Sequence, residues 1–346
     1  MSKELLEQAK AVAEKSAADQ LRGKDVLIAD LRKQVRSKAA QVEHLEKTID
    51  LICLFQDDTH KPKKAIVPKS RSSEVVPLII WSDWHIEERV ERKKALGLNE
   101  FNLEIAESRA RKCAESTVKL IRLARNNAHV RAVSILLGGD FITGDIHQEL
   151  CETNLLGPAE ACIFAKNMLA NGLATIAAEK YLETIHVSCV VGNHGRFTKK
   201  MQIKNGTEKS FETIIYAELA KMFQDKRFKW SICRGGVNVT PVTPEFLVRD
   251  AHGHQFKYQG GIGGLTIPLT KWVHRLDQSQ PCNFNRICHY HQFGTPNPRC
   301  LMNGSLKGYD EYAAEHGFGY EPAQQAFAIL DCTRGRIGGT FPIYCE

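Results

Sequence analysis

No apolar run in this sequence approaches the roughly 20 residues that a membrane-spanning helix requires. The longest stretches, such as Val75 to Trp81 and Ala132 to Leu137, are far shorter, so no spanning segment and no membrane partner is expected. The first residues, MSKELLEQAK, are charged and lack the apolar core of a secretory signal, which predicts a cytoplasmic protein. The 11 cysteines include no C-x-x-C pair, which argues against a thiolate zinc site and a disulfide framework and makes most of them small buried apolar residues. Also missing are a G-x-x-x-x-G-K-S/T phosphate loop, a G-x-S-x-G nucleophile elbow and an H-E-x-x-H helix. Proline is absent from the first 55 residues, where there is one glycine, Gly23.

What fills those 55 residues is Ala, Glu, Lys, Leu and Gln, which predicts a long helix over 1–56. Ile28, Val35, Val42 and Ile49 recur every seven residues, with Leu31, Leu45 and Ile52 three further on and Lys38 the one polar intruder. That spacing is a coiled-coil seam, and its β-branched first position favours a parallel dimer. The seam would serve a homodimer or protein partner, or lay an amphipathic helix on the rest of the chain. Residues 57–74, with Lys61, Lys63, Lys64, Lys69 and Arg71 among prolines and serines, read as a basic linker.

From 75 to 346 the texture changes. Runs at Val75 to Ser82, Ala132 to Leu137 and Thr184 to Val191 are apolar and β-branched, as in strands buried on both faces. Helical stretches at Leu103 to Arg125 and Pro158 to Tyr181 separate them, so the order predicts an α/β layered domain. Further strands are expected near Phe228 to Cys233, Phe246 to Ala251, Asn285 to Tyr290, Arg299 to Asn303, Ala326 to Asp331 and Ile337 to Ile343.

Ligands in open α/β sheets bind beyond the carboxyl ends of strands. There this chain places Asp83 and His85 (S-D-W-H), Asp140 (G-G-D) and Asn193 and His194 (G-N-H-G), followed by His252 and the pair His289 and His291. A lone D-x-H or H-x-H is common in ordinary loops. The combination, a carboxylate, an amide and several imidazoles at successive strand ends, is a mixed nitrogen and oxygen set suited to manganese, iron or zinc.

In this order the blocks D-x-H, G-D, G-N-H, a separate H and H-x-H resemble the calcineurin-like metallophosphoesterase superfamily over residues 75 to 345. The stretches Tyr258 to Leu265 and Asn303 to Tyr309 are similar to those of bacteriophage-encoded members, for which the cytoplasm would be the host's. The resemblance implies a four-layer α-β-β-α sandwich with two mixed sheets. It also implies two divalent cations, Mn2+ foremost with Fe, Zn or Mg as alternatives. Asp83, His85 and His291 would hold one, Asn193, His252 and His289 the other, and Asp140 would bridge them. Two cations roughly 3.5 to 4 Å apart make a shared water a hydroxide that attacks phosphorus in line. His194, unligated, would donate a proton to the leaving oxygen.

Two positions depart from the superfamily pattern. Gly195 follows Asn193-His194 where an acid is commoner, and Cys288 replaces the glycine before His289. Arg196 would approach a substrate phosphate or face solvent. His254 is the alternative to His252, His147 could line the same cleft, and Gly260 to Gly264 is expected as a turn beside the metals. A net charge of +7 and the basic linker tilt the substrate toward nucleic acid and the reaction toward a phosphodiesterase or nuclease. The alternatives are a phosphomonoesterase on phosphoprotein or nucleotide, and a non-catalytic scaffold acting through the N-terminal helix.

Overall fold

The computed structural model describes residues 3–56, 73–258 and 264–346. The linker expected over 57–74, except its last two residues, and the glycine turn expected over 260–264, except Gly264, lie outside the described residues. The chain divides into two units, residues 1–68 and 69–346. The first contains one helix, α1 (Lys3–Gln56), 54 residues long and so about 80 Å from end to end. Along it Ile28, Leu31, Val35, Val42, Leu45 and Ile49 are exposed, each by 45% or more.

The second unit begins with β1 (Val75–Trp81), α2 (Leu103–Asn127), β2 (Ala132–Leu137), α3 (Gln148–Thr153), α4 (Pro158–Ala177), β3 (Thr184–Cys189), α5 (Phe211–Met222) and β4 (Phe228–Ile232). It continues with β5 (Val237–Thr243), β6 (Phe246–Ala251), α6 (Thr266–Asp277), β7 (Phe284–Ile287), β8 (Gly294–Asn297), β9 (Cys300–Met302), α7 (Glu311–Glu315), β10 (Gln324–Asp331) and β11 (Arg336–Tyr344). Both sheets are mixed. The first runs β11-β10-β1-β2-β3-β4, with β1 to β4 parallel and β10 antiparallel to β1. The second runs β5-β6-β7-β9-β8, with β6, β7 and β9 parallel. Among the described residues no helix is long and apolar enough to cross a membrane.

Alternation along the strands generates the layers. Ile79 and Trp81 of β1 join Ile135, Leu137, Ile185 and Val187 under α2, α4 and α5. Leu78 and Ile80, one residue out of phase, face the other way and pack with Val248, Phe284 and Leu301 of the second sheet. On that sheet's far side Ala251, Ile287, Cys300 and Met302 meet Leu269 and Val273 of α6. The result is the expected four-layer α-β-β-α sandwich. Helix α2 shows how local sequence serves it: Asn102 caps its start by accepting from the Ile105 amide at 3.0 Å, and Ala106, Ala110, Cys113 and Thr117 bury one stripe.

Differences from the sequence reading have physical causes. The expected strands Val75 to Ser82, Thr184 to Val191 and Asn285 to Tyr290 stop at Trp81, Cys189 and Ile287, because the chain there turns out of the sheet. Strand β5 is not among the expected strands; it lies at the edge of its sheet, where Pro241, which cannot donate to a ladder, is tolerated.

Between the sheets, Arg286 of β7 is fully buried. Its guanidinium makes a two-pronged pair with Asp250 of β6 at 2.7 and 2.8 Å. It also donates to the carbonyls of Ile79 and Ser134 at 3.2 and 2.9 Å, on the opposite sheet. Arg286→Met therefore leaves a buried carboxylate without its partner, and the expected loss of unfolding free energy is about 3–5 kcal/mol. Chemical denaturation of Arg286→Met, Asp250→Ala and the double variant checks this, with the double variant costing less than the sum of the singles.

Candidate metal centre

Five of the six non-glycine residues with positive φ among the described residues are Asp83, His85, Asp140, His289 and His291, at 54°, 46°, 53°, 78° and 55°. Each left-handed turn costs about 1–3 kcal/mol and persists only where its surroundings enforce it. Here they do. The amides of Asp83, His85 and Ile86 donate to the carbonyls of Gly139, Asp140 and Phe141 at 2.9, 3.1 and 3.1 Å, locking the turns after β1 and β2 together. Residues two apart on a strand share a face, and the left-handed backbone at Asp83 and His85 turns the chain out of the sheet while keeping their ligand atoms within 4.8 Å of each other.

Two clusters of ligand atoms result, Asp83 with His85 and His291, and Asp140 with His252 and His289, the atoms of each cluster lying within 4.8 Å of one another. In the first, His85 Nε2 and His291 Nε2 are 3.3 Å apart, and His291 Nε2 is 3.4 Å from Asp83 Oδ1. Thr143 Oγ1 and Glu88 Oε1 lie 2.9 and 3.2 Å from His85 Nδ1, so that nitrogen carries the proton and Nε2 presents a lone pair. In the second, His252 Nδ1 donates to the Gly138 carbonyl at 2.8 Å, while Nε2 faces Asp140 Oδ2 at 2.8 Å and Asn193 Oδ1 at 3.2 Å. Acceptors converging on acceptors repel unless a cation lies among them. This nitrogen and oxygen donor set fits divalent metal ions.

The electrostatics agree. Burial, with the Lys307 charge second, holds His85 well below its ordinary pKa, and burial with His252 takes His289 down to about 3, so both imidazoles are neutral and ready to ligate. Burial alone would lower His252 as well, but the Asp140 carboxylate holds it at about 10. A proton and a metal ion thus compete for the same Nε2.

His194 belongs to neither cluster. Its amide donates to Asp140 Oδ1 at 2.8 Å, its ring lies 4.8 Å from that of His85, and its Nδ1 is 3.2 Å from the Thr143 carbonyl. Burial lowers its pKa, and the Asp140 charge opposes that shift. His254 lies outside both clusters, its ring 5.5 Å from His252 and its pKa pushed by burial to about 4. His147 is also outside them, 6.4 Å from His194 ring to ring. Arg196 folds back on its own loop, donating to the carbonyls of Asn193, Thr198 and Lys199.

The supporting roles of the residues around this centre escaped the sequence reading, although the stretch Asn303 to Tyr309 drew notice for its resemblance. Glu212, at the start of α5, accepts from the Phe141 amide at 2.8 Å and the Gly192 amide at 2.7 Å, joining the Asp140 turn to the Asn193 turn. Burial, with Asp140 second, raises its pKa to about 8. Asn303 donates to Ser82 Oγ at 2.8 Å, Ser82 in turn to the Asp83 carboxylate, and Ser305 Oγ to the Asp83 carbonyl at 2.7 Å. Lys307, buried, bridges Glu88 and Asp310 at 2.6 and 2.7 Å. The stretch Asn303 to Tyr309 carries polar residues just after a strand, but the partner of Asn303 lies 221 residues away in sequence.

Gly192 is required by contact: a Cβ there would sit 1.9 Å from Asp140 Oδ1. Gly192→Ala is expected to displace the carboxylate and abolish tight metal binding. Thr143→Val, which removes one support of His85, should weaken metal affinity about 10- to 100-fold. Isothermal titration with Mn2+ and Zn2+ measures both effects.

No family model and no curated protein matches this sequence. Among solved structures, the chain is similar to the SoxB sulfate thiohydrolase of Thermus thermophilus, solved in complex with glycerol. The identity is 10% and the TM-score 0.33, over 82% of this chain and 58% of that one. It is also similar to a hypothetical protein of Pyrococcus horikoshii OT3, with 11% identity and a TM-score of 0.35 over 78% of this chain and 89% of that one. The chain spans just over half the length of the first of these, and likeness at this level adds nothing to the reading of the centre.

Proposed function

We propose that this chain is a dinuclear-metal phosphoester hydrolase of the calcineurin-like metallophosphoesterase type, acting as a phosphodiesterase on nucleic acid. The observation that carries the hydrolase reading is the pair of left-handed ligand clusters with a histidine, His194, beside both and in neither. Asp83, His85 and His291 would hold one cation, Asn193, His252 and His289 the other, with Asp140 between them. When bound, the cations supply an activated water and positive charge against the phosphoryl oxygens.

The chain's own part is orientation and proton transfer. The Thr143 carbonyl fixes His194 through Nδ1, so Nε2 is the atom left to protonate a departing oxygen. A buried imidazolium whose pKa lies below the ordinary value gives up that proton readily. The diester reading rests on the basic balance of the chain, whose net charge of +7 favours a polyanionic substrate over a small monoester.

With Mn2+, wild type is expected to hydrolyse bis-p-nitrophenyl phosphate in preference to p-nitrophenyl phosphate. His194→Ala should lose about 10²- to 10⁴-fold in kcat while still binding metal. Asp140→Ala should lose both properties. Preference for the monoester would favour a phosphatase, and no turnover with any divalent metal would favour a scaffold.

The exposed seam of α1 supports a second role, self-association as a parallel coiled coil with another copy of this chain. Ile and Val at the first heptad position, with Leu at the second, favour two strands. Light scattering should give twice the monomer mass for wild type, and a monomer for Leu31→Asp/Val35→Asp; a monomeric wild type would refute it.

A further inference from the structure

Two segments that leave the proposed metal centre carry a concentration of charge that its chemistry does not use. Residues 196–209 follow Asn193 and His194 directly and form a closed surface loop. The Arg196 and Ser210 backbones pair at its neck, the Phe197 amide donates to the Lys209 carbonyl at 2.9 Å, and the Phe211 amide donates to the Gly195 carbonyl at 2.8 Å. Compact loops of this kind, with both ends tied, present a defined surface. The second segment, residues 253–258, follows His252.

The turn between β4 and β5 joins the two. Thr207 Oγ1 donates to the Arg234 carbonyl at 2.9 Å, and Gln255 Nε2 donates to the Gly236 carbonyl at 2.8 Å. On this continuous rim Lys199, Lys200, Lys204, Lys209, Arg234 and Lys257 are exposed, and none is in an ion pair among the described residues. The one acid in residues 195–209, 233–236 and 252–258 is Glu208. Interleaved with these cations are exposed apolar faces, Phe197 at 48%, Tyr258 at 59% and Ile203 at 93%. Phe197 is braced edge-on against Phe211, their ring centroids 4.4 Å apart.

Six exposed cations with one acid among them make this surface positive, which attracts an anionic polymer. Unpaired lysines tracking a groove, with aromatic rings on which bases can stack, are how single strands are held without sequence preference. We infer that this rim binds a single-stranded nucleic acid, its phosphates on Lys199, Lys200 and Lys204 and its bases against Phe197 and Tyr258. The strand would lead from the rim to the metal centre. This names the substrate class of that centre and rests on the phosphodiesterase reading.

The Arg196 clamp gives the loop a further property. By donating to the Asn193, Thr198 and Lys199 carbonyls it couples the lysine-bearing backbone to a proposed metal ligand.

The test is fluorescence anisotropy with labelled single-stranded DNA and RNA oligonucleotides of one sequence. It uses wild type in EDTA and His194→Ala with Mn2+, each over a range of salt concentration. Against wild type, Lys199→Gln/Lys200→Gln/Lys204→Gln should lower the magnitude of the logarithmic salt slope by about 2, at 0.7 per lost phosphate contact. Tyr258→Ala should weaken binding about tenfold with little change in slope. Turnover of bis-p-nitrophenyl phosphate by the triple variant should match wild type, which also shows that it is folded.

Equal affinity and slope for wild type and triple variant, or no binding of either oligonucleotide by wild type, would overturn the inference. If wild type hydrolyses no small diester yet binds strands through these lysines, the hydrolase reading fails while the rim stands. If turnover is intact and the lysines are silent, the rim fails alone.

Discussion

The alignment of two sheets across a buried guanidinium is the constraint on which the centre depends. Asp83, Asp140 and Asn193 come from the ends of β1, β2 and β3 in one sheet, and His252, His289 and His291 from the ends of β6 and β7 in the other. A small slide of one layer over the other would pull the carboxylates from the imidazoles. Arg286 opposes such a slide by holding Asp250, two residues before His252, while donating to Ile79 and Ser134, on the strands that lead to Asp83 and Asp140. A buried pair of this kind adds little net stability over an apolar substitute, yet it accepts only one geometry. Register between layers is the property a centre drawn from both of them needs.

The second constraint is backbone strain. Left-handed turns at five of the proposed ligands cost several kcal/mol together at about 1–3 each. They are held by groups with no metal-binding role: Glu212 between two turns, Ser82, Asn303 and Ser305 around Asp83, and Thr143 with Glu88 behind His85. In the absence of cations the same residues face one another with lone pairs, and His252 takes a proton from solution in compensation. Cations in the proposed centre would remove the repulsion that remains.

How far this was legible in the sequence depends on whether the information was contiguous. Apart from the single His252, the proposed ligand blocks are two to four residues long, and most follow β-branched runs, so strand and candidate ligand could be read together, as with Val75 to Trp81 leading to Asp83. Strand order pointed in the same way to an α/β layered domain, while the four-layer sandwich with its second sheet was implied by the family resemblance. Glu212 could not be read, because α5 is apolar on most faces and its carboxylate meets partners 20 and 71 residues away. Nor could Arg286 and Asp250, which are 36 residues apart in segments that look like any buried strand. Arg196 shows the opposite case, a side chain whose position invites a substrate role and whose donors are directed at its own loop.

The proposed function requires that each of the two clusters hold a cation. Anomalous diffraction from crystals of the full chain grown with Mn2+, recorded on both sides of the manganese edge, tests it most directly. Two peaks are expected, one against Asp83, His85 and His291, the other against Asn193, His252 and His289, with Asp140 touching both. A single peak, or manganese held instead by His254 or His147, would contradict it.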